Sequence, residues 1–246
     1  MDKKVVLVTG GSKGIGAATV EVFAQHDYNI VLNYAHDEEV AKEVKDRIKS
    51  TYPVSVLLAK ADVSKKEDVQ NMVEMAIQTF GHIDVLVNNA GIAIDQIFED
   101  KTDFEFRKVL DVNLIGPFLM SKEVGMKMQE QGHGKIINVS STNGIDTYYP
   151  ESMDYDASKA GLISLTKNLA TLFAPVIQVN AIASGWVNTD MIKDMDDNLK
   201  EIEKEKILLA RFADPSEIAS VIYFLTTKEA DYINGSIIRV DGGKRV

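Results

Sequence analysis

Short apolar, β-branched runs alternate along the chain with longer stretches whose apolar positions recur every three to four residues. The runs cover residues 4–9, 29–32, 54–59, 83–88, 135–139, 177–182 and 236–240. The periodic stretches cover 14–25, 38–50, 65–80, 103–129 and 154–172. A strand that is apolar at nearly every position is covered on both faces, and amphipathic helices between such strands supply the cover. The pattern predicts an α/β fold: a doubly wound, seven-stranded parallel sheet with helices on both faces, a single-domain Rossmann fold. No repeat, low-complexity stretch or Pro/Gly-rich linker divides residues 1–246.

Local signals refine the pattern. Ser64-Lys65-Lys66-Glu67 spells a Ser-x-x-Glu capping box at the start of a helix. Asp214-Pro215-Ser216-Glu217 places proline at a first helical position behind an aspartate cap. Residues 190–206 are polar and acidic, unlike their neighbours, with Asp194, Asp196, Asp197, Glu201, Glu203 and Glu205. Such charge runs are commonly solvated helix faces. The place of this one, after the sixth strand, favours a mobile substrate-side flap over 185–210.

Composition narrows the function classes. An apolar content of 45% supports a sizeable core without staples. Cysteine is absent, which excludes disulfides, thiolate catalysis and Cys-based zinc sites and fits a reducing, cytoplasmic setting. Met1-Asp2-Lys3-Lys4 leads into a strand too brief for a signal h-region, and no run approaches the length of a membrane span. The net charge of −10 opposes nucleic acid and anionic membrane as partners. His26, His36, His82 and His133 show no ligand spacing, so no metal site is expected.

Chemistry enters at two places. Thr9-Gly10-Gly11-Ser12-Lys13-Gly14-Ile15-Gly16 follows the first strand and opens an amphipathic helix, where backbone N–H groups and the positive helix end can face a pyrophosphate. Tyr155 and Lys159 stand at i and i+4, on one helix face. A phenol titrates near pH 10, and a fixed cation beside it moves it toward the working range. With 8 tyrosines in the chain, chance alone supplies on the order of one Tyr-x-x-x-Lys. The remaining motifs must therefore carry the assignment.

The Gly-x-x-x-Gly-x-Gly spacing resembles the signature of the short-chain dehydrogenase/reductase family, and the resemblance runs the length of the chain. Asp62-Val63 is similar to the family's adenine-edge Asp, Asn89-Ala90-Gly91 to the motif ending the fourth strand, and Thr189 to the residue that reaches the nicotinamide amide. Val240-Asp241-Gly242-Gly243 is similar to the family's carboxy-terminal turn. The resemblance implies a catalytic set of Asn113, Ser141, Tyr155 and Lys159. In it Tyr155 is the acid, Lys159 lowers its pKa and holds the nicotinamide ribose, and Ser141 binds the substrate oxygen. Asn113 positions a water that links Lys159 to solvent. Ser-x-x-Gly spacing selects Ser141 over its neighbour Ser140. The implied cofactor contacts are Gly10, Ser12, Lys13, Gly14, Ile15, Gly16, Asn33, Tyr34, Ala35, Asp62, Val63, Asn89, Ala90, Gly91, Tyr155, Lys159, Gly185, Val187 and Thr189. Ile94, Ile145, Tyr148, Trp186 and Met191, with Ser141, are candidates for the substrate wall. Homotetramers built on the two long helices and the last strand are likewise implied.

An acidic residue ending the second strand would bind the ribose hydroxyls of NAD and repel a 2′-phosphate. Leu32-Asn33-Tyr34-Ala35-His36 has none before Asp37, and Lys13 stands where the family places a cation, so NADP(H) is expected over NAD(H). Within the family the chain is most similar to 3-oxoacyl-acyl-carrier-protein reductases, which implies reduction of a ketone or 3-oxoacyl thioester. Two features depart from that group. Ser184 replaces the usual Pro before Gly185, which predicts a looser loop. Residues 128–133 and 170–175 lack Arg and Lys where an acidic carrier protein would dock. An NAD-dependent alcohol, polyol or sugar dehydrogenase is the alternative, and a non-catalytic nucleotide-binding regulator stands behind it.

Overall fold

Successive side chains of a strand point to opposite sides, and β1 (Val5–Val8) is apolar on both: Val6 and Val8 join one buried cluster, Val5 and Leu7 another. The computed structural model describes residues 3–193 and 195–243, so Met1, Asp2 and the Asp194 of the acidic segment lie outside it. Seven strands form one sheet in the order β3 (Val56–Lys60), β2 (Asn29–Tyr34), β1, β4 (Val85–Asn88), β5 (Gly134–Ser141), β6 (Ile177–Ser184) and β7 (Ile237–Val240). Every pairing is parallel. One cluster is covered by α1 (Gly14–Gln25), α2 (Glu38–Thr51) and α8 (Pro215–Phe224) through Phe23, Ile48 and Ile222. The other is covered by α3 (Lys66–Phe80), α5 (Gly116–Gln131) and α6 (Met153–Phe173) through Met72, Met128 and Phe173. The strand order reverses between β1 and β4, and the crevice at their carboxyl ends is where such sheets bind ligands.

Two local expectations are corrected. Residues 103–129 do not form one helix: α4 (Asp103–Leu110) gives way to a π-helical turn (Asp111–Ile115) before α5 begins. The Gly116 N–H reaches back five residues to the Asp111 carbonyl, and Pro117 has no N–H to offer the Asn113 carbonyl four residues behind it. Ser64 does not cap α3, which starts at Lys66. Its hydroxyl instead donates to the Asp62 carboxylate at 2.6 Å, a stronger acceptor close at hand. The proline-led start of α8 is as expected, with the Glu217 carboxylate accepting from the Asp214 N–H at 2.9 Å.

At the opposite, amino end of the sheet, Asp84 accepts from the Val5 N–H at 2.7 Å and faces His82 at 3.2 Å and His133 at 3.0 Å. Among the described residues no helix is long and apolar enough to cross a membrane, and no His/Asp/Glu group is arranged to hold a metal.

Candidate active site

The glycine-rich turn is held by Asn89 and by its own Thr9. Asn89 donates to the Thr9 and Gly10 carbonyls at 2.9 and 3.1 Å, and the Thr9 hydroxyl accepts from the Asn89 and Ala90 N–H groups at 2.9 and 3.0 Å. A Cβ at Gly16 would fall 2.1 Å from the Gly10 carbonyl oxygen, so only glycine lets the turn close against the start of α1. No side chain caps α1, and the N–H groups of Gly14, Ile15 and Gly16 stay at the positive helix end. Thr189 lies across the turn, its Cγ2 3.0 Å from where a Gly14 Cβ would stand. A cleft of about 570 Å³ opens there between α1 and residues 188–204, and Tyr155 is not among its lining residues. Gly185 backs on to Asp241, Val187 bridges to Ala213, and both are fixed by backbone pairing. This cradle fits a dinucleotide pyrophosphate.

At the adenosine side the structure redistributes the expected contacts. The Asn33 side chain is buried: its oxygen accepts from the Gly10 N–H at 3.2 Å, and its amide donates to the Ala59 and Ala61 carbonyls at 3.1 and 3.0 Å. It ties the turn to β3 instead of facing outward. Tyr34 is buried beside it, while Ala35 is exposed. Lys13 forms an ion pair with Asp37, so the first carboxylate after β2 sits on the cation itself. That contact holds the Lys13 pKa up and the Asp37 pKa down. Asp62 is partly buried and engaged by Ser64, and Val63 packs against Gly116.

The four catalytic candidates converge at the carboxyl ends of β4 and β5 with α6. Ser141 ends β5, where its hydroxyl donates to the Asn143 side-chain oxygen at 3.1 Å and favours the ionised form of the Tyr155 phenol. Ser140 points the other way and donates to the Lys159 carbonyl at 3.0 Å, which anchors α6. The Lys159 ammonium is buried, 5.3 Å from the Tyr155 ring centroid, and donates to the Val139 carbonyl at 2.8 Å. Asn113 leaves the π turn to donate to the Ile92 carbonyl at 2.9 Å and the Ser158 hydroxyl at 3.1 Å, and accepts from the Ile92 N–H at 2.9 Å. A Cβ at Gly91 would stand 3.4 Å from the Asn113 oxygen and 3.6 Å from the Lys159 nitrogen. The electrostatics differ from the sequence expectation. Burial pushes Tyr155 up to about 12, opposed by the Ser141 hydrogen bond and reinforced by Asp156 and Asp95. Burial likewise brings Lys159 down to about 8. Desolvation is the largest cause of both shifts.

The expected substrate wall divides. Tyr148, Met191 and Ile145 are exposed, and Ile94 is half-buried. Trp186 packs on Tyr149 and Phe212 at ring separations of 5.7 and 5.8 Å. Its indole N–H donates to Glu203 at 3.0 Å, and the Tyr149 hydroxyl donates to the same carboxylate oxygen at 2.7 Å. Glu203 lies on α7 (Asp197–Glu205), within the acidic segment, and Ile192, Ile207 and Phe212 give that segment a small core of its own. Sequence reasoning placed Glu203 only in a charge run; nothing in its spacing marks it as buried. Ser184 is paired to Ser141 and Val240 within the sheet.

Residues 10–245 match the family described as Enoyl-(Acyl carrier protein) reductase. The chain is 39% identical over 241 residues to the 3-oxoacyl-(acyl-carrier-protein) reductase FabG of Staphylococcus epidermidis, covering 98% of both chains. It is 38% identical to the enzyme of the same name from Aquifex aeolicus, covering 98% of this chain and 96% of that one. Among solved structures, a mutant of a Serratia marcescens short-chain dehydrogenase/reductase superposes with a TM-score of 0.93 at 32% identity, covering 98% of each. A short chain dehydrogenase of Bacillus anthracis gives 0.88 at 34% identity, covering 98% of this chain and 95% of that one.

Proposed function

The chain belongs to the short-chain dehydrogenase/reductase family, and on that premise we propose that it is an NADP(H)-dependent reductase of 3-oxoacyl thioesters. The observation that carries the proposal is one contact: the buried Lys159 ammonium 5.3 Å from the Tyr155 ring, held there by the Val139 carbonyl, with α1 opening behind the glycine-rich turn without a side-chain cap. A nicotinamide cofactor, when bound, supplies the hydride. The chain's own residues handle the proton and the oxygen. Tyr155, held protonated through neutral pH by its burial, gives its proton to the carbonyl oxygen as that oxygen gains charge. Ser141 donates a hydrogen bond to the same oxygen. Lys159 keeps a positive charge beside the phenol and offers donors to the ribose. Both amide hydrogens of Asn113 are committed to Ile92 and Ser158. Its backbone carbonyl, denied the Pro117 donor, is therefore the group that holds a water for proton resupply.

The Gly14–Gly16 N–H groups and Thr189 would hold the pyrophosphate and nicotinamide ends, and Lys13 would take the 2′-phosphate once Asp37 gives way. Residues 185–210 serve as the substrate-side flap of a single catalytic domain. Exposed apolar side chains at Ile115, Phe118, Met126 and Leu172 support a homotetramer joined along α5 and α6. The relatives' names favour the thioester over an alcohol or polyol substrate.

The test is NADPH oxidation with acetoacetyl-CoA, an acetoacetyl carrier-protein thioester and a panel of free ketones and sugars. Turnover of the thioesters, lost by about 10²–10⁴-fold in Tyr155→Phe while cofactor binding persists, is expected. Sugar-only turnover with NAD would overturn the proposal.

A further inference from the structure

Lys101 and Asp154 form an ion pair at 2.8 Å with side chains only 3% and 0% exposed. Stability alone does not account for it, because an apolar pair of the same size generally serves a core as well or better. The remaining bonds of each partner show what the pair joins. The second oxygen of Asp154 accepts from the backbone N–H of Tyr155 at 2.9 Å, in the first turn of α6. The Lys101 ammonium also donates to the carbonyl of Ile94 at 2.7 Å, in the loop that follows the Asn89-Ala90-Gly91 turn. Around this link, Gln96 N–H donates to the Glu151 carbonyl at 3.0 Å and Ser152 bonds to Asp95.

We propose that Lys101 and Asp154 are a positioning pair for the reaction: they set the start of α6, and with it the Tyr155 phenol, against the loop carrying Ile94. The geometry is a direct chain of three bonds, Ile94 carbonyl to Lys101, Lys101 to Asp154, Asp154 to the Tyr155 N–H. Lys101 also neutralises the buried Asp154 carboxylate, next in the chain to Tyr155, whose phenol Asp95 and Asp156 already act on to hold the proton. A rigid link suits a donor that must meet a carbonyl oxygen within hydrogen-bond reach. The inference rests on Tyr155 as the proton donor.

The test compares wild type, Lys101→Met, the double variant Lys101→Met/Asp154→Leu, and Tyr155→Phe as the control for the function itself. The single variant leaves a buried carboxylate uncompensated and is expected to unfold at lower temperature. The double variant removes both charges and is expected to melt like wild type, bind NADPH unchanged, and lose kcat on the order of 10²-fold. Amide hydrogen exchange should rise in residues 92–101 and 153–156 alone. Wild-type kcat in the double variant, failure of the double variant to fold, or exchange rising evenly across the sheet would each overturn the pair's role. If wild-type protein reduces no carbonyl while Tyr155→Phe binds cofactor normally, the function has failed instead, and the exchange pattern alone then decides the pair.

Discussion

Tyr155 and Lys159 are moved by burial in opposite directions, to about 12 and about 8, and the order matters for rate. In the reductive direction the phenol must be protonated and the amine charged. Both conditions hold at neutral pH, and the first to fail on the alkaline side is the amine. The kcat/KM for ketone reduction should therefore be flat through neutrality and fall as pH rises through about 8, a limb readable in the free enzyme's profile. A profile still rising above that point would contradict the assignment. Lys13 makes a second prediction. A charge-assisted bond to phosphate contributes roughly 1.5–3 kcal/mol, so Lys13→Met should lower kcat/KM for NADPH by about tenfold to a hundredfold and leave NADH untouched. Equal losses with both cofactors would remove the 2′-phosphate role. The spacing of Tyr155, Lys159, Ser141 and Asn113 was legible in the chain. Their protonation was not, because it depends on burial and on neighbours such as Val139 and Asp95 that arrive from other elements.

Among the elements, the strands were the most readable, since continuous apolar runs report burial on both faces. The segment 103–129 was misread because its apolar positions keep helical spacing across Asp111–Ile115, while the extra residue accommodated before Pro117 is a backbone event. In the acidic segment one contact was not legible. Its charge density hid Glu203, whose carboxylate collects Tyr149, Trp186 and Lys206, the last at 2.6 Å, and fastens α7 to the rest of the molecule. Burial works against the charged form of Glu203, but the bonds from Lys206, Tyr149 and Trp186 outweigh it and hold the pKa below its ordinary value. A depressed folded value contributes stability that is complete above the unfolded pKa and disappears as pH falls through the folded one. Trp186 is the single tryptophan of the chain, so its emission reports this junction without labelling. Its spectrum should hold from neutrality down to about pH 4.3 and shift red below it. Glu203→Gln should bring that red shift to neutral pH. An unchanged spectrum in the variant would mean that packing on Phe212, rather than the carboxylate, holds the junction.

For the whole molecule, periodicity conveyed the class and the cover on both faces, and the order of motifs conveyed the family. Neither could convey that Asp84 draws together His82 and His133, because residues from two separate loops meet there only once the sheet exists. The proposed tetramer is testable at this scale. Phe118, 43% exposed on α5, is expected to lie in the joint, so Phe118→Asp should shift the mass measured by light scattering from tetramer to smaller species. A wild-type chain that runs as a monomer at micromolar concentration would remove that assembly. Asn33 carries a consequence of another kind. Because its side chain fastens the glycine turn to β3 and is buried, a substitution there is expected to disturb the turn itself rather than the choice of cofactor. Ala35, His36 and Asp37 are exposed and hold no part of the turn in place. An adaptive path from one nicotinamide cofactor to the other, natural or engineered, therefore runs through those three positions while Asn33 stays fixed.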